Sequence, residues 1–294
     1  MYKTTNKYSN FPLIDRAIAA LDWDSAALTE LDNLINDIEN GRKHFKRFPL
    51  AAERHFGASS RLAAKASVIL RGEADAGSTQ QRLTKLQRRK RDQAASPRQE
   101  QIIESWAKAE GIWFNKLSDA VRGQRLLANH SSEAVVYDNG LNLTKIVSLN
   151  HFFNPQFVTD RIILHNMFFP VTSIKLLGFG RDFNNLFGEC DFSDFRFVVD
   201  QPYTKGVKPS IEQIKTFMEK SGFEQQRTPT TYKNDYFIIS DLHEGNVIHA
   251  TDLADCPLYD DEGNPTLFFI DTDCRLNTPD QGKDGKYVVD NGIE

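Results

Sequence analysis

Cysteine is scarce in this chain: three among 294 residues, at positions 190, 256 and 274, with no Cys-x-x-Cys pair. Such spacing excludes a disulfide framework and argues against a structural zinc site, so Cys190, Cys256 and Cys274 read as free thiols. Long apolar runs are missing too. Nothing approaches the roughly 18 residues of a membrane span, and the polar start MYKTTNKYSN lacks the apolar core of a secretory signal. The expectation is a soluble, cytoplasmic protein without membrane contact. No internal repeat or long low-complexity tract is evident.

What is present is an ordinary globular balance, 26% charged and 40% hydrophobic, in a chain long enough for one large or two ordinary domains. The net charge of −4 hides an asymmetry. Residues 1–125 hold 22 Lys and Arg against 15 Asp and Glu, whereas residues 126–294 hold 14 against 25. This split suggests a basic unit that docks on its acidic neighbour or on a polyanion. We place a helical N-terminal region over 1–122 and a second domain over 123–294.

The N-terminal region shows few β-branched runs or hairpin signals. After Asp24 or Ser25, either a good cap, Leu28, Leu31, Ile35 and Ile38 recur at helical steps. A second alanine-rich stretch, LAAERHFGASSRLAAKASVIL, reads as helical. A third, RQEQIIESWAKAEGIWFNKLSDAV, puts Ile103, Trp106 and Trp113 within reach of one face. Between them lie Arg88, Arg89, Lys90 and Arg91, a candidate contact for nucleic acid or a partner protein. No aromatic interleaves these charges to stack on bases, so a solvated helix or loop is the simpler account.

The pattern changes after residue 130. EAVVYDNGLNLTKIVSL holds two β-prone runs around Asp-Asn-Gly, a strong hairpin signal. NPQFVTDRIILHNMFF reads as a helix, TSIKLLGFG and DFRFVVDQPY as strands, and SIEQIKTFMEKSGF as a Ser-capped helix. Then come DYFIIS and TLFFIDTD, two more strands. The order is that of an α+β domain.

One loop carries the chemistry. FIISDLHEGNVI, residues 237–248, opens like a metallophosphoesterase through Asp241 and His243, or like a kinase catalytic loop through Asp241 and Asn246. The first reading needs ligands for two cations about 3.5–4 Å apart. After His243 only one further histidine follows, His249, and none of the further motifs occurs. The kinase reading needs a carboxylate for the acceptor hydroxyl, groups for magnesium and a cation on the phosphates. Asp241 and Asn246 have the Asp-Leu-x-x-x-Asn spacing, Asp271 ends an apolar strand, and Lys145 sits in the second hairpin strand. Asp160, in the next helix, is a possible partner for that lysine. Each element is weak alone; their order favours the kinase.

SEAVVYDNG…TKIVSL, DRIILHNMFFPVTSIKLLGFGRD, FRFVVDQPY and SDLHEGNVI together resemble the kinase-like domain of bacterial polyvalent proteins, over roughly residues 100–275. Such proteins are encoded largely on phages and conjugative elements. The resemblance implies a compact protein-kinase-like fold, also seen in aminoglycoside phosphotransferases, with QPYTKG as the hinge and a reduced C-terminal lobe. It implies ATP and Mg2+ as cofactors and a protein or small molecule as phospho-acceptor. Lys145 would hold the phosphates, Asp160 orient that lysine, and Asp241 position the acceptor. Asn246 and Asp271 would bind the metal, with Asp273 auxiliary. Adenine would lie against Val199–Tyr203, near Gln201 and Tyr203. LANHSSEAVV has no glycine where a phosphate-covering loop belongs, so Ser132 or nearby amides would substitute. That departure keeps open a kinase-fold binding module without turnover, and analogy with the family alone adds a mobile-element toxin or effector as a further alternative.

Four further residues have simpler accounts. His243 shapes the loop or orients substrate, His165 and Asn166 bond a neighbouring strand, and Glu133 is a strand-surface acid that could reach Lys145.

Overall fold

A long helix, α1 (Lys85–Ala109), leads into the main body and ends where the sequence reading carried it onward. Gly111 takes φ +73°, and Ile112 N–H donates to Ala107 O at 2.9 Å, the hydrogen bonding of a glycine-terminated helix. The chain then becomes β1 (Trp113–Phe114), followed by the short helix α2 (Leu117–Ala120). Trp113 therefore sits on a strand and not on the helical face expected for it. Its ring packs 6.0 Å from that of Phe195, while Trp106 packs 6.1 Å from Phe179. The computed structural model describes residues 60–67, 69–70, 85–128, 133–149, 152, 154–182, 193–234, 237–276, 280–281 and 287–288. The first predicted helix (28–38), Ser132 and Cys190 lie outside these residues. Of the second alanine-rich stretch, 60–67 and 69–70 are helical, and the basic run at 88–91 lies on α1.

A sheet of six strands follows: β2 (Arg125–Ala128), β3 (Ala134–Asp138), β4 (Asn142–Ser148), β5 (Lys175–Arg181) and β6 (Phe195–Pro202) join β1 in the order β1-β5-β6-β4-β3-β2. The hairpin β3–β4 turns at Asn139-Gly140, with Gly140 at φ +95° and Asn139 Oδ1 accepting the amide of Asn142 at 2.9 Å. β1 joins β5 in parallel, close enough that a Cβ on Gly178 would stand 2.1 Å from Ile112 O.

Helix α3 (Pro155–Phe168) starts at Asn154, whose side chain caps Phe157 N–H at 2.9 Å, with Pro155 at the position that tolerates it best. It is buried on nearly all sides. Ile162 and Ile163 pack in one core with Phe179, Phe195 and Phe197 of the sheet. Ala63, Ala64 and Ala66 of the preceding helical segment join that same core. The opposite sheet face is closed by Leu117 and Val121 against Ile146 and Val198.

After β6 the chain crosses into the second half through Tyr203–Lys205 and β7 (Gly206–Val207). Helix α4 (Ile211–Lys220) begins with the expected cap, where Ser210 and Gln213 bond each other's backbone amides. It is the only helix after β6 among the described residues. β8 (Glu224–Gln225), β9 (Tyr232–Lys233), β10 (Phe237–Ser240), β11 (Val247–Ala250), β12 (Leu267–Phe269) and β13 (Asp273–Leu276) complete the body. They form two small sheets, β13-β10-β9-β8 and β12-β11-β7. The α+β class and the small second half are those expected of a compact kinase-like fold. Among the described residues no helix is long and apolar enough to cross a membrane.

Candidate active site

Strand register assembles the site. β10 and β13 pair antiparallel with Ser240 opposite Asp273, so Asp241 leaves β10 beside the start of β13. β11 and β12 pair with Val247 opposite Phe269, and Ile270 N–H donates to Asn246 O at 3.0 Å. Asn246 and Asp271 thus flank the ends of neighbouring strands. From the large sheet, Lys145 on β4 brings its Nζ to 3.8 Å from Asp271 Oδ2.

The loop after β10 is held in an unusual shape. Asp241 has φ +65°, a left-handed conformation that costs a non-glycine residue about 1 kcal/mol or more. Local bonds fix it: Leu242 N–H donates to Thr230 O at 3.0 Å, and Asn246 Nδ2 to Asp241 O at 3.0 Å and to Asp241 Oδ2 at 2.6 Å. His243 shapes the turn, since its Nδ1 accepts Gly245 N–H at 3.0 Å. A Cβ at Gly245 would lie 2.8 Å from the His243 ring, which explains the His-x-Gly spacing.

The chain's sequence matches, over residues 96–278, a family described as the serine/threonine/tyrosine kinase found in polyvalent proteins. The chain belongs to that family. Neither the curated proteins nor the solved structures contain a match.

In this family member several expected residues sit otherwise than the sequence suggested. Asp160 was read as the partner of Lys145, but its Oδ1 accepts a hydrogen bond from Ser67 Oγ at 2.6 Å, on the side facing the preceding helix. Successive helix residues point about 100° apart, and the next one, Arg161, enters the site. Its Nη2 donates to Asp271 Oδ1 at 2.6 Å, its Nη1 to Glu133 at 2.9 Å and its Nε to Thr272 O at 2.7 Å. Glu133 accordingly meets Arg161 directly. Gln201 is buried and donates to Thr172 O at 2.8 Å, while Tyr203 N–H is engaged by Leu141 O at 3.2 Å. One Gln201 side-chain N–H and the Tyr203 N–H are thus already engaged within the protein.

The electrostatics follow from this packing. Burial alone would raise the Asp271 carboxyl, but the adjacent Lys145 and Arg161 charges outweigh it and hold it well below the usual carboxylate range. Glu133 is shifted the other way: burial and the nearby Asp271 charge raise it against the pull of Arg161. His165 on α3 is fully buried between Thr272 Oγ1 at 2.8 Å and Thr172 O at 3.1 Å. Burial first, then the Arg161 and Lys145 charges, push its pKa down to about 3. With the ring neutral, Nε2–H donates to the Thr172 carbonyl and Nδ1 accepts from Thr272. Asn166, as expected of it, brackets a strand residue, accepting Ile174 N–H at 2.6 Å and donating to Ile174 O at 2.8 Å.

A neutral buried imidazole makes stability depend on pH. The folded value lies below the unfolded one near 6.5, so this contribution is intact above pH ~6.5 and is lost as pH falls towards ~3. Between pH 7 and pH 5 the loss amounts to about 2 kcal/mol. Chemical denaturation at both values should show that drop in the native sequence, and His165→Gln should lack it. An equal drop in both proteins contradicts the neutral assignment.

A metal fits this site in part. Among the described residues no three His, Cys, Asp or Glu side chains form a cluster able to hold one. Magnesium usually takes only one or two carboxylates and completes its shell with phosphate oxygens and water. Asp273 keeps one oxygen buried without a hydrogen-bond partner, while the other accepts from Ser240 Oγ at 3.1 Å. Asn246, Asp271 and Asp273 supply the hard oxygen donors such an ion prefers.

Proposed function

We propose that the protein is an ATP- and magnesium-dependent phosphotransferase acting on a hydroxyl group, with a protein acceptor favoured by the description of its family. What supports the reading is that Lys145 on β4, Asp271 after β12 and the loop carrying both Asp241 and Asn246, three separate segments, are brought together. Lys145 holds the nucleotide phosphates. Asn246 and Asp271 hold magnesium, which when bound would offset the charge of the phosphate oxygens. Asp241 projects from a rigid loop with its side chain more than half exposed, where an incoming hydroxyl can reach it. There it orients the hydroxyl and accepts its proton.

A second reading, a binding module without turnover, draws on the glycine-free stretch 127–136 around Glu133. Calorimetry separates the two. Titration with ATP and magnesium should give saturable heat, and Lys145→Met should weaken the affinity at least about tenfold by removing a buried phosphate contact. Absence of binding at millimolar nucleotide would favour the module.

A further inference from the structure

Asp271 is met by two protein cations. Its Oδ1 accepts from Arg161 at 2.6 Å and its Oδ2 lies 3.8 Å from Lys145. The arginine is not a mobile finger. Its side chain is 9% exposed, all three guanidinium nitrogens are bonded within the protein, and the plane rests 4.7 Å from the Phe152 ring. The same guanidinium ties Glu133, at the entry to β3, to the segment that follows β12. The carboxylate proposed to receive a metal therefore already has its charge compensated by a fixed neighbour.

Coulombic repulsion between that neighbour and an arriving dication is large at such separations, even at the effective dielectric of a partly buried site. Lys145, with a single ion-pair contact at 3.8 Å, is the more easily drawn away by phosphate oxygens. Arg161 is not, because withdrawing it would break its own hydrogen bonds to Glu133 and to the Thr272 carbonyl.

We infer that Arg161 is a resident counter-charge that excludes divalent cations from Asp271 until a nucleotide arrives with phosphate oxygens to share the ion. Metal and nucleotide then bind in an obligatory combination, with the metal failing to bind first. Arg161 is a positioning residue in this scheme, acting through Asp271 and touching neither substrate nor metal. The inference rests on the reading of Asp271 as a metal carboxylate.

The test is Mn2+ binding to the full chain, followed by electron paramagnetic resonance of the free ion. Without nucleotide, the native protein should show no site tighter than about millimolar. Arg161→Gln should tighten nucleotide-free Mn2+ binding at least about tenfold. Arg161→Lys, which keeps the charge, should stay within about threefold of the native protein, and adding Asp271→Asn to Arg161→Gln should reverse most of the gain. A native nucleotide-free site in the micromolar range overturns the inference, whether or not the variants fold. So does a folded Arg161→Gln protein with unchanged affinity. Failure of the underlying reading looks different: Asp271→Asn would then leave Mn2+ affinity in the presence of ATP unchanged.

Discussion

Replacing Asp241 by alanine is expected to lower phosphate transfer about a thousandfold or more while leaving ATP affinity within about threefold. The separation of effects follows from where the carboxylate sits. Lys145 and Asp271 meet each other at 3.8 Å, whereas the Asp241 side chain is 57% exposed and is bonded, among the described residues, within its own loop. Its removal takes away no core contact. The residual cost is local, because alanine at φ +65° loses the Asn246 hydrogen bond that helps hold the left-handed turn. Asp241→Asn is the control, since it can keep an acceptor for Asn246 but cannot take a proton at neutral pH. The readout is single-turnover release or transfer of the labelled γ-phosphate, with nucleotide affinity measured separately. Undiminished transfer by the alanine protein sinks the assignment of Asp241.

Gly178→Ala should destabilise the protein by about 3 kcal/mol or more, lowering the thermal midpoint by roughly 8 °C. The cause is backbone and not side-chain crowding. A Cβ at this position would lie 2.1 Å from Ile112 O and 2.9 Å from the Phe114 ring, so β1 must separate from β5. Phe179 N–H, which donates to Ile112 O at 3.1 Å, would lose its partner. The pairing of Trp113 with Phe179 would open as well. Gly180→Ala meets Leu117 Cδ2 at 2.7 Å and Phe114 O at 2.9 Å, and should cost less because a side chain can move. A midpoint for Gly178→Ala within about 1 °C of the native protein contradicts this account of the β1–β5 contact.

The parts of the architecture that could be read from sequence are those coded locally. Asp-Asn-Gly between two β-prone runs gave the hairpin, Ser210 with Gln213 gave a helix start, and apolar runs gave β5, β6 and β10. The end of α1 was missed although its signal, Glu110-Gly111, lies in the sequence, because apolar spacing continued across it through Trp113. Helix α3 posed a deeper difficulty. Val158, Arg161, Ile162, Ile163, Leu164, His165 and Asn166 are all buried, so no polar face marks its rotation. Spacing placed Asp160 in the helix but could not say that Arg161, one position on, was the residue aimed at Asp271. Arg161 at a position between the apolar Val158 and Ile162 was the available clue, since buried arginines are rarely unpaired. Gln201 and Tyr203 illustrate a different limit: a segment's sequence does not say which of its groups the protein bonds internally, as Gln201 does to Thr172 and Tyr203 N–H to Leu141.

The contacts of α3 also bear on where this protein can be cut. Ser67 Oγ donates to Asp160, Asn166 donates to Ser60 Oγ at 3.1 Å, and Leu70 shares the core that holds Ile162. All three partners precede residue 96, where the family match begins. A fragment trimmed to 96–278 would keep every residue proposed for chemistry yet strip one flank of the helix that aims Arg161. The smallest unit in which the site keeps its alignment therefore reaches back at least to Ser60, and expression boundaries drawn from family limits alone would report on a loosened enzyme.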